Sequence, residues 1–364
     1  MKQKLLICSL LLLCYYSKAQ LPPVAQELYD EAVAQDSAMV QYAINNGAEI
    51  LPTPDGNSFY IKWFPSGATP SATPLVVSLH GSNGFAFHEF FSWHQRLQLK
   101  GCGIVALQWY RGDSSATPGT YFGDDAIYQY IDSALSAISY PSGKAMLHGF
   151  SRGSSRSYAI TVKDILAKNY FCTILSNSGG MDSSYPFNAQ INANAFGASV
   201  FTGKRWNLFC GGQDPNPDES GCPAMAETKT WLESRGASVD IFIQDAALNH
   251  NGFQLQSSAA YKDTILDDYL KCFNGATHAG TVSHQTLISV YPNPFTNFFT
   301  IGGNGITDSG QISVYNSLGE LVLMGSFSHL PATFEADRLA PGFYSIVLNS
   351  GTGRLLGKFF KLNH

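Results

Sequence analysis

Gly149-Phe150-Ser151-Arg152-Gly153 sets a serine between two glycines, and that spacing has a chemical use. The apolar run 144–148 before it reads as a short buried strand, and residues 154–166 after it read as a helix. At so sharp a strand-to-helix turn larger flanking residues would collide, which explains small ones on both sides of Ser151. Its hydroxyl is then lifted above the sheet edge, near the positive end of the following helix. That is how a weak nucleophile is presented for acyl transfer. Alone the pattern is thin, because 34 glycines make a chance match easy and a surface turn reads the same way. A working nucleophile needs a base, an acid and an oxyanion-binding turn.

In a sheet of this kind the partners follow in the order Ser, acid, His. Of the nine histidines, His250 alone lies after the elbow and before the polar stretch that begins near residue 275. It stands in Asn249-His250-Asn251-Gly252, a turn after the strand-like run 239–244, and reads as the base. Cys210-Gly211-Gly212-Gln213-Asp214 follows the run 206–210, and a carboxylate there would fix the imidazole tautomer and stabilise its cation. Asp214 is favoured, while Asp218 in the same loop and Asp182 after the preceding strand stay open; a turn or cap role is the bland alternative for Asp214. For the oxyanion, one donor is the Arg152 amide. The second comes from the glycine turn His80-Gly81-Ser82-Asn83-Gly84, with the Ser82 amide first and Asn83 next. His80 reads as a structural member of that turn. Trp109 and Tyr110 end another strand, where they would stack on a sugar or aromatic acyl group or pack as core.

The elements that must hold these residues alternate. Strand-like runs at 58–64, 74–79, 103–109, 144–148, 171–176, 206–210 and 239–244 are interleaved with helix-like stretches at 87–99, 124–138, 154–166, 224–234 and 257–273. This predicts an α/β architecture, a mostly parallel sheet with helices on both faces and catalytic residues at the carboxyl ends of strands. Residues 183–200, small and polar, would form a short, open covering. Residues 275–285 read as a linker, and 286–364 as a small all-β sandwich of short strands between turns.

At 364 residues the chain has room for two or three cores, and a net charge of −5 without a basic cluster argues against nucleic acid as a partner. Residues 1–19 read as a signal peptide: Lys2 and Lys4, an apolar core too short to anchor in a bilayer, then Ser17-Lys18-Ala19 before cleavage at Gln20. Cys14 follows Leu13 rather than a small residue, which disfavours lipidation. Export removes Cys8 and Cys14 and leaves an odd set. In it Cys102 and Cys172 read as buried hydrophobes, while Cys210 and Cys222 flank a loop that a disulfide would close. No Cys/His spacing suggests a zinc site.

Taken together, the H-G turn, the G-x-S-x-G elbow, the post-strand G-G-x-D and the late N-H-N-G loop make residues 57–273 resemble an α/β-hydrolase of the esterase and dienelactone-hydrolase-like kind, within a catalytic domain expected over 20–274. The resemblance implies a Ser151–His250–Asp214 mechanism through an acyl-enzyme, with no metal or organic cofactor. It implies an ester substrate, which export would place outside the cell: polysaccharide-linked, lipid or polyester. A serine peptidase or amidase and a catalytically silent surface-binding protein are the alternatives. Residues 290–295 (V-Y-P-N-P-F), the run 312–322 around Asn316-Ser317-Leu318-Gly319, Leu339-Ala340-Pro341-Gly342-Phe343-Tyr344 and Lys358-Phe359-Phe360-Lys361 resemble a type IX secretion sorting domain. That implies delivery to the medium or cell surface by the outer-membrane secretion machinery, and a monomer is expected.

Overall fold

The computed structural model describes residues 21–112, 121–275, 289–293, 295–302, 309–316, 320–350 and 353–361. The signal peptide and nearly all of the expected linker lie outside the described residues. In chain order the first fifteen elements are α1 (Pro23–Asn45), β1 (Glu49–Pro52), β2 (Phe59–Trp63), β3 (Leu75–Leu79), α2 (Ala86–Lys100), β4 (Gly103–Leu107), α3 (Asp124–Ala137), β5 (Ala145–Phe150), α4 (Arg152–Ile165), β6 (Phe171–Asn177), α5 (Pro186–Asn192), β7 (Arg205–Gly211), α6 (Cys222–Ser234), β8 (Ser238–Asp245) and α7 (Ala259–Phe273).

The eight strands form one sheet in the order β1-β2-β4-β3-β5-β6-β7-β8. β1 and β2 pair antiparallel at one edge and β2 meets β4 antiparallel. From β4 to β8 every pairing is parallel. The central strands are buried on both faces, so their sequences are continuous apolar runs rather than alternating ones. Alternation survives in where the side chains go. Leu75, Val77 and Leu79 pack with Tyr130, Ile131 and Tyr158 from α3 and α4. Val76 packs on the other face with Phe90, Trp93, Leu266 and Tyr269 from α2 and α7.

The N-terminal helix α1 and edge strand β1 have no counterpart in the sequence reading. The expected open covering contains the short helix α5. Cys210 pairs with Cys222, as the loop spacing suggested. Cys172 corrects the reading of a buried hydrophobe: it pairs with Cys272, 100 residues on, and ties β6 to α7. Cys102 is buried and free, and burial pushes its thiol up to about 12. C-terminal to these, β9 (Ser289–Tyr291), β10 (Phe298–Gly302), β11 (Gly310–Asn316), β12 (Leu321–Phe327), β13 (Ala332–Glu335), β14 (Gly342–Ser350) and β15 (Gly353–Lys361) make two antiparallel sheets, β13-β10-β9 and β12-β11-β14-β15. Phe299, Ile301, Ile312, Val314, Ile346 and Phe359 fill the core of this all-β part.

Candidate active site

The turn between β5 and α4 is built as tightly as its glycines require. Ser151 has φ 52° and ψ −118°, a region that L-residues avoid and that costs about 1–3 kcal/mol. A side chain on Gly149 would strike the Gly153 carbonyl, and one on Gly153 would strike the Leu79 and His80 carbonyls. From the other side Gly179 lies against the Ser151 carbonyl oxygen, leaving no room for a Cβ. Ser154 Oγ and Tyr158 OH hold that loop by donating to the Gly179 carbonyl at 2.7 and 2.9 Å. The strain is therefore enforced by packing from several elements.

Above the elbow three side chains form a line. His250 Nε2 lies 2.9 Å from Ser151 Oγ, and His250 Nδ1 lies 2.6 Å from Asp214 Oδ2. The Asp214 side chain is 1% exposed, and its other oxygen accepts the Asn216 amide at 2.9 Å and Ser220 Oγ at 3.0 Å. The Cys210–Cys222 disulfide closes the loop that carries it. Of the alternative acids, Asp182 accepts the amide and hydroxyl of Ser184, and Asp218 lies exposed along the cleft wall. Neither meets His250. On the other side of Ser151, Gly81 packs so closely that a Cβ there would sit 3.2 Å from Ser151 Cβ. This brings the Ser82 turn beside Ser151. Among the described residues neither the Ser82 amide nor the Arg152 amide donates to a protein acceptor.

Trp109 and Tyr110 are corrected. They are 0% and 1% exposed and do not line the cleft. Trp109 stacks on His80 with ring centroids 5.3 Å apart, and its indole N–H donates to the His80 carbonyl at 3.1 Å. The Trp109 and Tyr110 amides point at His80 Nε2, at 3.2 and 3.5 Å, while Nδ1 donates to the Gly81 carbonyl at 2.8 Å. These partners fix a neutral imidazole. Burial pushes His80 down to about 4 from the ordinary 6.5, the Gly81 hydrogen bond opposing. Between these pH values the unfolded chain binds a proton that the folded one refuses, so stability falls as pH drops through this window. The expected loss is about 3 kcal/mol. Urea midpoints at pH 7 and 4.5 check it, since His80→Gln should flatten the difference.

The cleft over Ser151 measures about 720 Å³. Arg152, Ser82 and His250 line it near Ser151, and Asp182, Tyr185, Asp218, Glu227 and Trp231 line it farther out. Arg156 pairs with Asp124 at 3.1 Å and lies over the Tyr185 ring at 4.3 Å, so it is a structural cation. Arg152 lies 4.5 Å over the Tyr121 ring, and its Nε donates to Ser82 Oγ at 3.2 Å. Tyr121, Tyr185 and Trp231 carry no signal in the sequence, because each stands in a segment rich in small and polar residues. Among the described residues no group of three or more His, Cys, Asp or Glu could hold a metal ion.

Strand order, the parallel core and a strained serine on the turn after β5 decide the fold. It is the α/β-hydrolase fold. Solved structures similar to this chain include an esterase of the fungus Rhizomucor miehei (13% identity, 70% of this chain and 98% of that one, TM-score 0.49). A carboxylesterase of Bacillus cereus (14%, 65% and 100%, 0.41) and an esterase of Pyrobaculum calidifontis (13%, 69% and 94%, 0.46) are others. At such scores the fold assignment rests on the topology instead. No curated protein matches the chain. Residues 289–361 match the secretion system C-terminal sorting domain, in agreement with the type IX tail expected from its motifs. A sorting domain of this kind directs the chain that carries it to the cell surface or beyond it. Among the described residues no helix is long and apolar enough to cross a membrane.

Proposed function

We propose that this protein is a secreted serine hydrolase of carboxylic esters. The observation that carries the reading is the hydrogen-bonded line from Ser151 Oγ through His250 to the buried Asp214. In the proposed reaction Ser151 Oγ attacks the ester carbonyl while His250 Nε2 takes its proton. Asp214 holds the opposite ring nitrogen and stabilises the imidazolium. Charge on the carbonyl oxygen is met by the amides of Ser82 and Arg152, aided by the N-terminus of α4. Collapse breaks the bond to the alcohol, which leaves with the proton from His250. Water then attacks the acyl carbon while His250 Nε2 takes its proton, and collapse releases the acid as that proton passes to Ser151 Oγ. In this proposal residues 20–274 carry out the chemistry, 275–285 link, and 286–364 direct export after removal of 1–19.

The outer cleft favours a hydroxyl-rich substrate over a lipid or polyester. Its wall carries the carboxylates of Asp182, Asp218 and Glu227 rather than an apolar groove, and burying a long acyl chain against them would forfeit their hydration. Sugar hydroxyls would instead find acceptors there, with the Tyr185 and Trp231 rings beside them. The mature chain should hydrolyse p-nitrophenyl acetate and acetylated or feruloylated oligosaccharides, with kcat/KM on p-nitrophenyl palmitate lower by about tenfold or more. Cleavage of peptide anilides without cleavage of any ester would replace this reading with a peptidase. Inertness toward both would leave a binding protein.

A further inference from the structure

Beneath the catalytic loops, on the α2 and α7 face of the sheet, lies a carboxylate with no part in the chemistry proposed above. Glu89 is 1% exposed. Its Oε2 accepts Ser78 Oγ at 2.7 Å and lies 3.2 Å from His148 Nδ1, and its Oε1 accepts Gln254 Nε2 at 2.8 Å. Burial raises Glu89, but the contacts with His148 and Ser78 outweigh it and hold the carboxyl below its ordinary value. Each partner stands at the root of one catalytic loop. Ser78 ends two residues before the His80-Gly81-Ser82 turn, His148 lies three before Ser151, and Gln254 lies four after His250.

The Gln254 turn is gripped from its other sides too. Ser92 Oγ donates to the Gln254 side-chain oxygen at 2.9 Å and lies 3.1 Å from the Gln254 carbonyl oxygen. Lys262 Nζ, fully buried, donates to the carbonyls of Ser92, Gln254 and Leu255 at 2.9, 3.3 and 3.0 Å. Trp93 packs edge-on against the His148 ring, with centroids 5.2 Å apart. If the site needed only packing here, an apolar side chain would fill the space without the desolvation cost of a buried charge. A carboxylate does what an apolar group cannot, since it fixes direction and distance to three partners at once.

We propose that Glu89 is a positioning residue that sets the nucleophile, the oxyanion turn and the base at their working separations, acting through His148, Ser78 and Gln254. The proposal rests on the serine-hydrolase reading. Misplacing reacting groups by about 1 Å costs on the order of 100-fold in rate, whereas substrate binding in the outer cleft does not depend on it. The signature is therefore a fall in kcat without a rise in KM.

The test compares Glu89→Ala, Glu89→Gln and Gln254→Met with the wild type on p-nitrophenyl acetate, with kcat expressed per site titrated by a fluorophosphonate. Glu89→Ala should lose about 100-fold in kcat with KM held within about twofold. Glu89→Gln, which keeps an acceptor toward Gln254, should recover part of that loss. Gln254 is only half-buried, so Gln254→Met tests the link to the base even if Glu89→Ala does not fold, and about a tenfold loss in kcat is expected. Gln254→Met with wild-type kcat per site overturns the inference while leaving the hydrolase reading intact. A wild type that neither turns over nor titrates overturns both.

Discussion

Ser151→Ala is expected to lower kcat on p-nitrophenyl esters by about 10⁵- to 10⁶-fold, with little change in KM. The backbone at Ser151 is held at φ 52° by glycine-to-carbonyl packing rather than by the serine side chain, so alanine inherits the same turn. What disappears is one oxygen atom, 2.9 Å from His250 Nε2. The cleft, the proposed oxyanion donors and the His250–Asp214 pair remain, so residual turnover should equal what binding and those donors supply without a nucleophile. Steady-state kinetics on protein freed of wild-type carry-over reads this directly. Activity within tenfold of wild type would mean that another residue attacks the ester.

The second large effect is expected at Asp214. Asp214→Asn should lower kcat by about 10⁴-fold near neutral pH. One oxygen of Asp214 accepts from the Asn216 amide and Ser220 Oγ, and the other faces His250 Nδ1. An asparagine must keep its carbonyl toward the two donors, because its NH2 group would oppose them. The NH2 group is then turned to His250 and demands a lone pair on Nδ1. That tautomer carries its proton on Nε2, where it faces Ser151 Oγ and cannot accept a second one. Asp218→Asn and Asp182→Asn should leave kcat essentially unchanged, since neither carboxylate reaches the imidazole. Comparing the three variants in one assay separates the acid from its neighbours in the cleft.

Both expectations rest on residues that the sequence exposes for simple reasons. Residues 74–79 and 144–148 are buried on two faces, so they stand out as uninterrupted apolar runs that locate the strand ends. His250 was found because the alternatives lie in the wrong part of the chain. Aromatic side chains were harder. Trp109 and Tyr110 follow a strand, and nothing in a linear pattern distinguishes an aromatic that faces a cleft from one that packs beneath it; here His80 draws them inward. The Cys172–Cys272 pair joins a strand and a helix 100 residues apart, a distance over which spacing carries no signal. Glu89 was equally hidden, since its meaning depends on partners at positions 78, 148 and 254. The helix α1 was missed because its apolar side chains are scattered among polar ones and its turns are interrupted at Asp36.

The central claim is that Ser151 forms a covalent bond to the acyl group, activated by His250. Labelling the mature wild-type chain with a fluorophosphonate and mapping the adduct by peptide mass spectrometry tests it most directly. One adduct per chain is expected, on Ser151, formed at a rate that falls by orders of magnitude in His250→Ala. An adduct on another residue, or labelling of Ser151 that proceeds equally fast without His250, would contradict it.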